Sequence, residues 1–237
     1  MLPRYQARVF AVLAIALLSG SLAAACSEKR PQPLPLPQPS ETTTPTDPQN
    51  RSIDWNDILS TPSVPTGWAV SPCENPMMLC VKRNGESVGR VELFATPIAG
   101  SEFETMLRNA GAPAGAVDPQ SAQMQNALKA WVENFYASIE RDRATGASDV
   151  TFSSQPSEAV PVGQLQGLRY EFASTRDGTL LERTTGYVAS DGTTLYVITA
   201  GVMNGDAIHM FSEDATLQEF EPHLEQIVAG LNLPVTN

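Results

Sequence analysis

Histidine and cysteine, two and three in number, are scarce in this 237-residue chain. A structural zinc site gathers about four such ligands, and His209 and His223 are the only histidines available to join cysteines. Basic charge is short as well: 15 Lys and Arg stand against 26 Asp and Glu, a formal net charge of −11. Phosphate backbones are held by clustered Lys and Arg that release counterions, so this balance argues against a nucleic-acid partner. It also leaves no basic patch for a membrane surface. No P-loop, dinucleotide-binding glycine fingerprint or EF-hand spacing occurs, and no repeat of fixed period runs through the chain. What remains is ordinary globular composition, 42% hydrophobic and 17% charged, whose acid surplus serves solubility and mild repulsion from anionic headgroups.

The N-terminus reads as an address. Arg4 and Arg8 give a positive start, and Val9 to Leu18 is an unbroken apolar run. Ten residues suit the core of a signal peptide and fall short of the ~20 that a spanning helix needs. Ser19, Gly20 and Ser21 follow the run, and then Leu22-Ala23-Ala24-Ala25-Cys26. Small residues let the peptide lie extended in a protease cleft, and the Cys26 thiol can take a diacylglycerol. These residues resemble a bacterial lipobox, except that Leu22 stands four places before the cysteine rather than three. Two alternatives stay open, ordinary secretory cleavage after Ala25 and an uncleaved anchor; lipidation of Cys26 is the expectation carried forward. Loss of Arg4 and Arg8 with the leader takes the formal charge from −11 to −13. Each buried methylene adds ~0.8 kcal/mol, so two or three acyl chains hold a protein on a membrane almost permanently.

The expected organisation is a leader over 1–25, a lipidated stalk over 26–52, and one domain over 53–237. In the stalk, Pro31, Pro33, Pro35, Pro37 and Pro39 alternate with other residues, which favours a stiff polyproline-like spacer. The Thr- and Pro-rich stretch after it has too little apolar surface to fold. Of the cysteines, Cys73 and Cys80 are left as a pair, and an oxidising compartment allows them to form a disulfide. So short a loop adds roughly 2–3 kcal/mol on the chain-entropy model.

Turn chemistry gives the clearest view of the domain. Asn84-Gly85 separates Met77–Arg83 from Ser87–Ala95, Asp177-Gly178 separates Leu168–Ser174 from Leu180–Ala189, and Asp191-Gly192 introduces Thr194–Val202. Such dipeptides suit two-residue hairpins, so the strands pair antiparallel. Further strands are expected at Gly67–Ser71 and Asp149–Ser153. Ser101 with Glu104 forms a capping box for a first helix. Asp118-Pro119 opens a second, along which Met124, Leu128, Trp131, Phe135 and Ile139 fall on one stripe, with Arg141 and Arg143 complementing the dipole of its last turns. A third carries Leu217, Phe220, Leu224, Ile227, Val228 and Leu231; Pro222 suits its first turn better than its middle. The expected fold class is α+β, an antiparallel sheet with helices packed on it.

Gly167-Leu168-Arg169-Tyr170-Glu171-Phe172, Arg183 to Ala189, Asp191 to Thr199 and the closing Phe220 to Ile227 together resemble PsbP-like domains. That resemblance spans about residues 65–233 and rests on hairpin glycines and core aromatics. It implies an α-β-α sandwich and a non-catalytic accessory of photosystem II on the lumenal side. The layout is also similar to LpqN-type envelope lipoproteins, which implies a protein that meets other proteins. No metal or docking residues carry over from either.

Tests for chemistry are mostly negative. Gly85-Glu86-Ser87-Val88-Gly89 matches the nucleophile-elbow pattern, but begins in a hairpin and continues into a strand, the wrong context. Glu221, His223 and Glu225 lie two apart on a helix and cannot face one ion; they read as a solvated face. Asp177 and Asp191 suit tight turns, and Trp131, Tyr170, Tyr187 and Tyr196 read as core. The expectation is therefore a protein with no catalytic residues, metal or cofactor, anchored outside the cytoplasm on the periplasmic or lumenal side of a bacterial membrane. It would bind other envelope or thylakoid proteins. The alternatives are a lipid-anchored carrier of a small hydrophobic ligand and a hydrolase using Ser87.

Overall fold

Tight turns with left-handed backbone set the hairpins. Asn84 (φ 51°) with Gly85 (φ 88°) and Asp177 (φ 49°) with Gly178 (φ 76°) occupy the two positive-φ positions that type I′ turns require. The computed structural model describes residues 53–60, 62, 64–115, 117–146, 149–203 and 210–234. Cys26, His209, the leader and the whole stalk lie outside the described residues.

The element order is α1 (Trp55–Ile58), β1 (Trp68–Pro72), β2 (Met78–Arg83), β3 (Glu86–Pro97), α2 (Glu102–Asn109), α3 (Ala122–Gly146), β4 (Val150–Val162), β5 (Leu165–Arg176), β6 (Thr179–Ser190), β7 (Thr194–Met203) and α4 (Asp214–Ala229). The strands form one seven-stranded sheet in the order β1-β2-β3-β7-β6-β5-β4, and every neighbouring pair is antiparallel. Both faces carry a core. On one, Trp55 and Ile58 of α1 and Leu217, Phe220, Leu224, Ile227 and Val228 of α4 pack on Leu79, Val91, Leu93, Tyr187, Tyr196 and Ile198. On the other, Phe103, Met106 and Leu107 of α2 and Met124, Leu128 and Val132 of α3 pack on Leu168, Tyr170, Val188 and Leu195. Alternate residues of β6 and β7 thus enter opposite cores, as the two-residue period of a strand demands. The fold is an α+β, α-β-α sandwich.

Several expectations need correction. The stretch from Asp118 to Ser121 is a turn: Asp118 accepts from the Gln120 and Ser121 amides, Ser121 accepts from Met124 N–H, and α3 begins at Ala122. Pro222 lies inside α4, eight residues past its start. It is tolerated because it is exposed, so the carbonyl it leaves without an intrahelical donor meets water. β4 runs to Val162, well beyond Ser153. The four-residue α1 carries no sequence signal of its own; Asp54 caps it, with Asp57 completing the capping box.

Candidate functional site

The site grows from a fault in the sheet. Between β4 and β5 the register slips between Gln155 and Glu158, where Pro156 has no N–H to give to a ladder. Tyr136 of α3 repairs the gap from behind. Its hydroxyl lies 3.0 Å from the Gln155 carbonyl and 3.1 Å from the Glu171 carbonyl, and accepts the Glu171 N–H at 3.0 Å. Burial raises the pKa of that phenol, partly offset by the bond to the Glu171 backbone. Such bulges re-aim side chains at sheet edges and sites. In front of this one lies an open hollow of about 300 Å³, lined by Gln155, Pro156, Glu158, Arg169, Tyr170 and Glu171.

Arg169 and Glu171 connect the hollow to an array of charges between the sheet and α4. Arg169 Nη2 donates to Glu171 at 3.1 Å. On β6, opposite Ala173 of β5, Arg183 donates through Nε to Asp214 at 2.7 Å. Its other guanidinium nitrogens lie 3.8 Å from Glu171 and 3.4 Å from Glu221. Thr185 donates its hydroxyl to Glu221 at 2.6 Å. The side chains are largely covered, Arg183 to 13% exposure and Glu221 to 18%. Asp214 begins α4, where a carboxylate suits the helix dipole.

Tyr187 stands beside this array with its hydroxyl buried next to Arg169. Its pKa is pushed up to about 12, chiefly by burial, with Glu225 and Glu221 adding to the rise and Arg169 opposing it. Burial works against the charge of Arg169, yet Tyr187, Glu171 and Glu221 hold its pKa above the ordinary arginine value. Two guanidinium groups therefore face three carboxylates across a half-dry interface, with Glu158 adding a fourth at the hollow. The array holds its members by ion pairing and offers no activated nucleophile.

The residues singled out from sequence scatter. Cys73 and Cys80 form a disulfide, with a Cα–Cα distance of 5.2 Å, at the β1–β2 connection. Ser87 is exposed near the start of β3, opposite Lys82. Gly89 has a packing reason: a Cβ there would meet the Phe211 ring at 2.5 Å. Glu221, His223 and Glu225 diverge, but not as a solvated face. Glu221 turns into the sheet, and His223 is half-buried against Trp68 and Phe220 with its Nδ1 unpartnered. Among the described residues, no three His, Cys, Asp or Glu gather as metal ligands. Asp191 does more than close its turn: it accepts from the Thr193 and Thr194 amides, the Thr193 hydroxyl, and the buried Tyr196 hydroxyl at 2.8 Å. Burial, with the Asp191 carboxylate, raises the pKa of that phenol. Arg143 meets a buried partner, both guanidinium arms reaching Glu182 at 2.6 Å while Ser174 donates to the same carboxylate. Tyr170, Tyr187 and Tyr196 are core, and Trp131 is partly buried on α3.

Arg169, Glu171, Arg183 and Asp214 had no site role in the sequence, and Glu221 was read there as part of a solvated face. One signal was present: Arg169-Tyr170-Glu171-Phe172 alternates charge with aromatic on a strand that sits inside the sheet, where the polar face also has to be covered.

No family model matches the chain, and no curated protein matches it. Among solved structures it is similar to the solution structure of cyanobacterial PsbP (CyanoP) from Synechocystis sp. PCC 6803. The identity is 9% and the TM-score 0.40, over 72% of this chain and 84% of that one. No residue role is carried across at that distance.

Proposed function

We propose that this protein is a lipid-anchored, extracytoplasmic accessory or assembly factor that works by binding another protein, without catalysis of its own. The observation that carries the reading is the half-buried charge array opening into the hollow at the β4 bulge. Taking charges partly out of water costs free energy that well-packed apolar residues would not. Arg169, about a quarter exposed where it lines the hollow, is of a residue type on which protein interfaces concentrate their energy. A polar recess at a sheet edge, ringed by exposed Gln155 and Glu158, gives a partner both shape and charge to read.

The address is supported by the leader ending in Cys26 and by the Cys73–Cys80 disulfide, at home in an oxidising compartment. Photosystem II is the process implied by the sequence resemblance to PsbP-like domains, and the bacterial envelope is the one implied by the LpqN-like layout. A carrier of hydrophobic ligands calls for an apolar cavity, whereas Gln155, Glu158, Arg169 and Glu171 line this hollow.

Co-purification tests the proposal. The protein, tagged at its C-terminus, is extracted from its own membranes in mild detergent beside a Cys26→Ala form, and bound proteins are identified by mass spectrometry. Thylakoid or envelope proteins enriched only with the native form are expected, together with an acylated N-terminal peptide. An unmodified Cys26 and no enriched protein would overturn the reading.

A further inference from the structure

The first element of the domain does not hold itself. α1 is four residues long, far below the length at which a helix is stable alone, so its shape depends on what it docks against. Trp55, 0% exposed, supplies the docking. Its backbone N–H donates to the Pro76 carbonyl at 3.0 Å, and its indole Nε1 donates to the Met77 carbonyl at 3.1 Å. The Met77 carbonyl also accepts the Leu93 amide of β3 at 2.9 Å. Both acceptors sit in the turn between β1 and β2, inside the loop closed by Cys73 and Cys80, seven residues apart. Asn75 shapes that turn, its side chain accepting from Met77 N–H and its carbonyl from Met78 N–H. The far end of α1 is tied by Asn232 N–H to the Ile58 carbonyl, and the Ser60 hydroxyl to the Gly230 carbonyl.

We propose that the Cys73–Cys80 disulfide is a redox-sensitive latch that holds α1 against the domain. Both cysteines are only partly buried, which leaves the bond open to exchange. The partner is a reductant of the dithiol class. Its thiolate attacks one sulfur to give a mixed disulfide, and its second thiol resolves it. Cys73 and Cys80 end as thiols, two electrons and two protons pass to them, and the reductant ends as a disulfide. The reduced turn no longer presents the Pro76 and Met77 carbonyls as a fixed pair. α1 then loses the two carbonyls that hold Trp55 and leaves its place in the core. The inference is independent of the reading of the hollow.

Hydrogen exchange read by mass spectrometry on the full chain, oxidised and after dithiothreitol, tests it, with the Cys73→Ser/Cys80→Ser form as a second route. The amides of Trp55 and Leu59 should exchange about tenfold faster or more on reduction, while β5, β6 and β7 keep their protection. Unchanged exchange at α1, or a loss spread evenly over the sheet, would overturn the latch. Coupling is reciprocal, so loosening α1 should make the disulfide easier to reduce. Trp55→Ala should be reduced at a severalfold lower dithiothreitol concentration. Trp55→Phe, which keeps a ring in the slot and loses only the Nε1 bond, should shift the same way by less. Identical midpoints for Trp55→Phe and the native protein would contradict the coupling.

Discussion

The two faces of β5 and β6 solve opposite problems. Toward α3, Tyr170 and Phe172 meet Trp131, Phe135, Tyr136 and Phe152 in a web of stacked and edge-on rings. Toward α4, the intervening residues Arg169, Glu171, Arg183 and Thr185 pair with one another and with Asp214 and Glu221. Shape governs the aromatic face. A Cβ at Gly186 would strike the Tyr170 ring at 2.2 Å, so glycine is what lets that ring lie across the sheet. Ion pairing governs the other face. The contrast teaches that the polar side of an interior strand is not a solvent side: once α4 covers it, every charge needs a partner, and the remaining opening is the hollow.

The largest test breaks the exception on the aromatic face, the ion pair between Arg143 and the 4%-exposed Glu182. Glu182→Ala leaves the one-third-exposed Arg143 and the Ser174 hydroxyl without their acceptor and should cost about 3 kcal/mol in urea unfolding. A loss below about 1 kcal/mol would show that Arg143 simply swings into solvent. Next in size is an alkaline transition. Burial holds Tyr187 protonated up to about pH 12, against about 10 when unfolded. Its contribution is therefore full below pH 10 and falls away as pH rises toward 12, by about 1.4 kcal/mol per pH unit. Tyr170, raised by burial on the other face, steepens the fall, and Tyr187→Phe should remove its own share of the slope.

A smaller effect is expected on the charged face. Thr185→Val takes one hydrogen bond from Glu221, which keeps Arg183, and should cost about 1 kcal/mol. The smallest carries the opposite sign. The Tyr170 hydroxyl is buried without a partner, so Tyr170→Phe should leave stability within about 0.5 kcal/mol of native or raise it. A clear destabilisation would reveal a hydrogen bond to ordered water.

What could be read in advance follows from the same contrast. Asn84-Gly85 and Asp177-Gly178 announce their hairpins because only a few residue types accept two consecutive positive φ angles. The helical stripe of Met124 and Leu128 was legible because burial on a helix repeats with its turn. Legibility failed where tertiary contact overrides local chemistry. The strand expected at Asp149–Ser153 stopped short of its end at Val162, because an edge strand with a bulge accommodates Pro156 and Pro161. Pro222 read as a helix start until its exposure explained it. The charge array was hidden because Asp214 and Glu221 lie 31 and 36 residues from the Arg183 and Thr185 they serve, and nothing local records such pairs.

The central claim, that the opening at the β4 bulge is where another protein docks, is tested most directly by site-specific photocrosslinking in native membranes. One photoreactive residue replaces exposed Gln155 at the hollow, and in a second form another replaces Phe94, an exposed large hydrophobic of β3 at 49%. Crosslinks to a discrete protein from position 155, absent from position 94 and lost in a Cys26→Ala background, are the expected result. Crosslinks from position 94 alone, or none from either, would contradict the account.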